Sequence, residues 1–288
     1  MARDTDFGVG RQQWLDRLGN LRNVVRQEVI ARQLARHVPD ISGMTAMAGT
    51  QVPMPPPLQV LDVGAGQATQ AIRLARLGHL VTALDPDPQM RDAAAAALAL
   101  EEPGVLSRVE VRPGGLGTLD AAVGDAAYDL VLCHGVFMYL PAADPAVAEL
   151  ARHVAPGGLL SLVVRNAAGL ALRPALRGRW SEVTALLDEV AAARAQGRDP
   201  VYTNELGVTA RADDVATLNE VCRAAGLGPV AHHGVRIASD QVPVDAAARS
   251  PEDVEPLVEV EVRLGDLDPY RQVATLAHLV YRRTSEPN

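Results

Sequence analysis

Five short apolar runs interleave with helical patterns between residues 58 and 166, and no other feature of this 288-residue chain constrains its fold so tightly. The runs are "LQVLDV" (58–63), "HLVTALD" (79–85), "SRVEVRPGG" (107–115), "YDLVLCHG" (128–135) and "LLSLVVRN" (159–166). Between them lie "TQAIRLARLG", closed by Gly78, the strong helix former "PQMRDAAAAALAL", and "DPAVAELARHVAPGG", which reads as a helix with a Pro-Gly-Gly stop. Most of these strands are apolar along their length. They imply a parallel sheet covered by helices on both sides.

After Asn166 the alternation breaks. Residues 167–210 are studded with arginine and glycine and hold one helical stretch, "WSEVTALLDEVAAARAQG". A further helix, "ADDVATLNEVCRAAG", precedes a sixth strand, "GPVAHHGVRIA", and the pattern closes on a seventh, "TLAHLVYRR". Ser250, Pro251 and Asp253 form a helix N-cap pattern with proline at the first helical position. Upstream, residues 11–38 read as helical, with Trp14, Leu18, Leu21, Val25, Val29 and Leu34 near a 3.6 period. The Pro/Met/Gly-rich stretch 39–57 is long enough for a mobile linker. The parse is an arm and linker over 1–57 and one α/β domain over 58–288, carrying an insertion near 167–210.

The first strand runs into "VLDVGAGQATQ" (60–70), where Gly64 and Gly66 supply the positive φ and close backbone approach of a ligand-binding turn. Thr69 stands where the dinucleotide fingerprint has its third glycine. Asp62 precedes the turn. A carboxylate there suits hydrogen bonds from turn amides and a cationic ligand group, and it would repel a pyrophosphate. Asp85 ends the second strand, where a carboxylate can hold both hydroxyls of a ribose. A ribose is common to nicotinamide cofactors and sulfonium methyl donors, so Asp85 does not separate them. Asp62 and the missing glycine favour S-adenosylmethionine, with a dinucleotide as the distant second reading.

Other bulk properties narrow the class. Net charge is −8, which weighs against a general nucleic-acid coat but not against a local basic patch. There is no lysine, so all 27 basic residues are arginine, a fork-shaped and permanently charged anion binder. No run approaches the roughly 18 apolar residues of a membrane span, and the first residues lack the apolar centre of a signal peptide. Cys133 and Cys222 give no disulfide framework, in keeping with a reducing cytoplasm. The adjacent pair His232 and His233 has no zinc-like spacing around it, and no metal is expected.

The turn resembles motif I of the class I S-adenosylmethionine-dependent methyltransferases. More narrowly, the chain is similar to the family that methylates the carboxyl of 5-carboxymethoxyuridine at the tRNA wobble position. The similar pieces are "NVVRQEVIARQLARHV" (23–38), "VLDVGAG" with "LARLGHLVTALDPDPQM" (60–90), "YDLVLCHGVF" (128–137), "APGGLLSLVVRNAAGLAL" (155–172), "GVRI" (234–237) and "VEVEVRLGDLDPY" (258–270). The resemblance implies a Rossmann-like, mostly parallel seven-stranded α/β sheet with a C-terminal antiparallel hairpin, an N-terminal helical arm and a cap insertion after strand five. It implies S-adenosylmethionine as cofactor, bound by Arg26 on the arm, Gly64, Ala65 and Gly66 at the turn, Asp85 at the ribose, Gly115 and Leu116 beside the adenine, and His134 at the end of strand four. The chain departs from that pattern at "AGQA", which lacks an acid, and in a longer linker and a longer region 187–215.

The acceptor reading rests on charge. A hydroxyl or amine nucleophile needs a base, for which His134 is a candidate; a hydrogen-bonded core histidine is the other reading of that position. A carboxylate is already ionised near neutrality and needs cations to hold it, ideally arginine. Arg165 directly follows strand five at the ligand edge, and Arg236 lies in "GVRI"; Arg211 is a weaker third. Arg173, Arg177 and Arg179, followed by Trp180, form either an anion-binding patch with a stacking aromatic or a solvated face. The expected partner is tRNA or a small anionic metabolite.

Overall fold

A computed structural model of the chain describes residues 19–42, 55–204, 207–243, 246–247 and 251–284. Five parallel strands, β1 (Gln59–Val63), β2 (Leu80–Asp85), β3 (Val109–Pro113), β4 (Tyr128–His134) and β5 (Val154–Arg165), are joined by β8 (Leu227–Val235) and β9 (Leu276–Arg283). They form one seven-stranded sheet of order β3-β2-β1-β4-β5-β9-β8, in which β9 is antiparallel to both its neighbours. This is the Rossmann-like arrangement with a C-terminal antiparallel hairpin.

Alternate side chains of each strand feed two apolar layers, as the period of two requires. Leu61, Val131 and Leu279 pack with Val147 and Leu150 of α6 (Asp144–His153) and with Leu218 of α9 (Val215–Ala224). Val60, Leu130 and Val280 pack on the other face with Ala71, Ile72 and Leu74 of α2 (Thr69–Arg76) and Ala94 and Leu98 of α3 (Pro88–Leu98). Short helices α4 (Pro103–Leu106) and α5 (Leu119–Val123) complete these crossovers. Cys133 and Cys222 lie in the first layer as reduced, buried thiols.

The amphipathic pattern near the start gives α1 (Leu21–Leu34), capped by the Asn20 side chain on Asn23 N–H at 2.8 Å. Its Val25, Val29 and Ile30 pack against Val254 and Val258 of α10 (Pro251–Asp266) and against Val163, Val235 and Leu276 of the sheet. The expected helix over residues 11–18, most of the connector (43–54) and the Ser250 cap lie outside the described residues. The start of the connector is anchored: Ile41 is buried, its N–H donates to Leu77 O at 3.0 Å, and Pro39 O bonds His79 Nε2 at 2.8 Å.

Two local expectations are corrected. The helix α6 stops at His153, and the Pro-Gly-Gly sequence after it belongs to the start of β5, where the pairing with β4 shifts register between Tyr128 and Leu130. The insertion holds more than one helix. It comprises α7 (Leu172–Leu176), α8 (Trp180–Ala195) and a two-stranded hairpin of β6 (Val201–Thr203) with β7 (Thr209–Arg211). Strands of three residues are too short to register as a period of two in sequence.

Candidate functional site

A cavity of about 1030 Å³ opens beyond the carboxyl ends of β1, β2, β4 and β5. In an open α/β sheet this edge, where the strand order reverses between β1 and β4, is the place for ligands. Arg26, Gly64, Gly66, Asp85, Gly115, Leu116, His134, Arg165 and Arg236 all line it, although α1, the ends of β1 to β5 and the β8 exit contribute them from separate parts of the chain.

The turn after β1 is held from behind. Gly64 and Ala65 donate their N–H groups to Leu84 O at 2.8 and 2.9 Å, and Gly66 N–H reaches Asp85 Oδ2 at 2.8 Å. Gly64 and Gly66 have φ of 75° and 58°, and a Cβ on Gly64 would clash with Val136 Cγ2, so glycine is favoured there. Ala68 takes a φ of 61° as the cap of α2, and Thr69 begins that helix.

Asp85 uses Oδ1 for the Asp87 N–H at 2.9 Å and Oδ2 for Gly66; burial raises its carboxyl, partly offset by these two backbone bonds. Asp62 departs from expectation. The turn amides go to Leu84 and Asp85, and Asp62 stands behind the turn, off the cavity wall, as does Ala65. Burial first, and the nearby Asp85 charge second, push the Asp62 carboxyl up to about 7. Near neutral pH it is only partly ionised.

His134 closes the end of β4. Its Nε2 pairs with Ser161 Oγ at 2.8 Å. Burial, then the Arg26 charge, hold the imidazole down to about 3, so it is neutral across the physiological range. Arg26 projects from α1 and has no carboxylate within ion-pairing distance among the described residues; burial, then Arg236, draws its pKa down to about 10. Arg165 is buried at the end of β5, donates from Nη1 to Thr275 O at 3.1 Å, and lies 5.1 Å over the Tyr202 ring centroid. It too has no carboxylate within ion-pairing distance among the described residues, although Asp240 lies near enough to favour its charge. Tyr202 comes from the unforeseen hairpin and had no signal in sequence beyond being one aromatic in an arginine-rich stretch.

Arg236 sits at a φ of 62° and donates from Nε to Asp240 Oδ1 at 2.8 Å. Asp240 is the acid that sequence reading passed over, although it follows Arg236 by four residues. It also faces Arg22 at 3.8 Å and Arg173 at 3.4 Å, accepts from Thr275 Oγ1 at 2.9 Å, and its carbonyl takes Arg177 Nη2 at 3.2 Å. Burial alone would raise its carboxyl, but Arg236 and Arg173 outweigh that and hold it below the usual range. Arg173 thus faces the cavity and not solvent. Arg179 lines the cavity as an exposed partner of Glu182 at 2.8 Å, and Trp180 beside it is 68% exposed.

Arg211 is not a site residue. Its guanidinium is taken by Asp213 at 2.8 Å, Asp199 at 3.0 Å and Phe137 O at 3.2 Å, away from the cavity wall. His233 bonds Asp266 at 2.7 Å, and no group of three metal-ligating side chains occurs among the described residues. None of the described helices is long and apolar enough to cross a membrane.

Residues 61–162 match the family model of a methyltransferase domain. With the sheet order above, this defines the chain's class: it is an enzyme that transfers methyl groups from S-adenosylmethionine. The tRNA 5-carboxymethoxyuridine methyltransferase of Escherichia coli K12 is 27% identical over 235 residues, covering 80% of this chain and 81% of that one. The ubiquinone biosynthesis O-methyltransferase of Rickettsia canadensis is 27% identical over 144 residues, 50% of this chain and 52% of that protein. Among solved structures, magnesium protoporphyrin IX methyltransferase from Synechocystis PCC 6803 with bound SAH shares the fold, with a TM-score of 0.58 at 16% identity and 98% coverage of both chains.

The cavity fits such a donor on its own evidence. A glycine turn approaches it, a carboxylate stands at the β2 end, and Arg26 lines it with no carboxylate within ion-pairing distance among the described residues.

Proposed function

We propose that the enzyme methylates a carboxylate, that of 5-carboxymethoxyuridine in tRNA. The observation that carries this reading is the pair Arg26 and Arg165, two cavity-lining cations, one half-buried and one buried, with no carboxylate within ion-pairing distance among the described residues. A buried unpaired charge is costly unless a ligand neutralises it. Two cations match two anions: the donor's carboxylate for Arg26, and the acceptor's for Arg165, with Arg236 alongside.

In this reading Asp85 receives the donor's ribose, Gly64 to Gly66 give the close approach, Gly115 and Leu116 flank the adenine, and Asp62 supports the turn from behind. S-adenosylmethionine supplies a sulfonium methyl group. Holding nucleophile, methyl and sulfur in line is the work of the protein, and such positioning is worth up to roughly 7–11 kcal/mol. A carboxylate acceptor is ionised at neutral pH and needs no base. That agrees with His134, which is neutral but already hydrogen-bonded to Ser161. The similarity to the Escherichia coli enzyme over 80% of the chain supports the same acceptor and a cytoplasmic setting.

The test is digestion of tRNA to nucleosides after incubation with enzyme and methyl-labelled donor. A labelled methyl ester of 5-carboxymethoxyuridine is expected, and its absence sinks the tRNA assignment. A small anionic metabolite is the second reading. It is favoured by the likeness to a ubiquinone-pathway enzyme over half of the chain. Activity that survives ribonuclease treatment of a cell extract selects that reading.

A further inference from the structure

Behind His134 runs a buried chain of hydrogen bonds that leaves the cavity and ends in the helix α1. His134 Nε2 meets Ser161 Oγ at 2.8 Å, Ser161 Oγ meets His278 Nε2 at 2.9 Å, and His278 Nδ1 meets Gln33 Oε1 at 2.9 Å. Gln33 in turn donates from Nε2 to Gly234 O at 3.0 Å. Ser161, His278 and Gln33 are all completely buried.

The direction of every proton in this chain follows from its far end. Gly234 O can only accept, so the Gln33 amide nitrogen must face it and the amide oxygen must face His278. That oxygen can only accept, so His278 carries its proton on Nδ1. Burial keeps His278 neutral, its pKa well below the ordinary value, so Nε2 is bare and accepts from the Ser161 hydroxyl. Ser161 has one proton and has spent it; its oxygen therefore accepts from His134, which must carry its proton on Nε2. His134 Nδ1 is left as a lone pair, buried and without a partner.

We infer that Gln33, His278 and Ser161 are positioning residues that lock His134 in one tautomer, so that any ligand group reaching its Nδ1 from the cavity meets only a hydrogen-bond acceptor. The ligand group beside it must bring its own proton, as an ammonium or hydroxyl does. The donor's amino group and an N–H or O–H of the acceptor are the two sources of that chemistry. The inference does not depend on which acceptor the enzyme uses.

Nitrogen-15 spectra of the histidine rings in the full-length protein, without ligand, test it directly. His134 is expected to show a bare Nδ1 and a protonated Nε2, and His278 the reverse. A His134 protonated at Nδ1, or at both nitrogens, overturns the inference whatever the variants do. Gln33→Met removes the far anchor on a residue that does not line the cavity. It should blur both rings into tautomer mixtures. Ser161→Ala should blur His134, and Ser161→Thr, which keeps the hydroxyl, should restore the single tautomer; a His134 spectrum unchanged by Ser161→Ala overturns the relay. Adding S-adenosylhomocysteine should shift Nδ1 if the donor's ammonium is the partner. A shift only on adding 5-carboxymethoxyuridine tRNA assigns the acceptor, and no shift with either overturns the ligand contact. A failed tRNA assay would leave the apo spectra unaffected, so the two readings fail separately.

Discussion

The carboxylate of Asp85 accepts the N–H of Gly66 at 2.8 Å, tying the end of the second strand to the turn after the first. One side chain therefore shapes the glycine turn and presents itself to the cavity. Asp85→Ala should lose both, weakening the donor product S-adenosylhomocysteine by on the order of 1.5–3 kcal/mol, the range for hydrogen bonds to a charged group. Titration calorimetry reads this, and unchanged affinity would remove Asp85 from the donor site.

Arg165 leads to a split in the kinetics. Arg165→Ala should leave S-adenosylhomocysteine affinity within twofold of the parent (about 0.4 kcal/mol at RT ln 2). It should cut kcat/KM for the acceptor by about 10- to 100-fold, the equivalent of about 1.4–2.8 kcal/mol. Collapse of donor binding would show that Arg165 serves the donor instead.

Arg211 should behave in the opposite way. With Asp213 buried at 2.8 Å from it, Arg211→Ala strands a carboxylate whose pKa burial already pushes to about 7 despite that arginine. Breaking such a pair by removing one partner costs about 3–5 kcal/mol. The expected result is a large fall in Tm, with kcat/KM per folded molecule retained.

The pH profile separates a carboxylate acceptor from a hydroxyl or amine. His134 is held down to about 3, so it does not titrate between pH 5 and 8. A carboxylate acceptor with an ordinary pKa near 4 is also ionised throughout. The acceptor kcat/KM should be flat from pH 8 down to about 5.5; an acid limb with a midpoint near 6.5 would mean that a base takes part.

Asp62 gives a stability prediction with a definite sign. Its folded pKa, about 7, lies above the ordinary 3.8, so the folded state holds the proton more tightly than the unfolded chain. This group's contribution to stability therefore falls as pH rises from about 4 to 7. Asp62→Asn, which stays neutral, should stabilise the ligand-free protein at pH 7.5 relative to the parent by at most about 4 kcal/mol at 1.36 kcal/mol per unit, seen as a higher Tm, with little change at pH 4.5.

What was legible in the sequence follows periodicity and local turn chemistry. The runs around Leu61, Leu84, Val131 and Leu162 are apolar because these central strands are covered on both faces; the edge strands β3 and β8, only partly covered, showed as shorter apolar alternations. Gly64, Gly66 and Asp85 could be read as a ligand turn because positive φ and a strand-end carboxylate are local properties. Tyr202 was invisible, since its place over Arg165 depends on a short hairpin folding back. Asp62 was misread because the turn amides had closer acceptors in Leu84 and Asp85, a choice made by the register of two strands.

The sequence alone determined the sheet and the kind of turn that opens its ligand edge, because both arise from neighbours a few residues apart. Only the tertiary structure decided which arginines stand without an acid: Arg211 meets Asp213, Arg236 and Arg173 share Asp240, and Arg26 and Arg165 do not find one among the described residues. Charge pairing is a matter of distances across the fold, and nothing in the spacing of arginines along a chain records it.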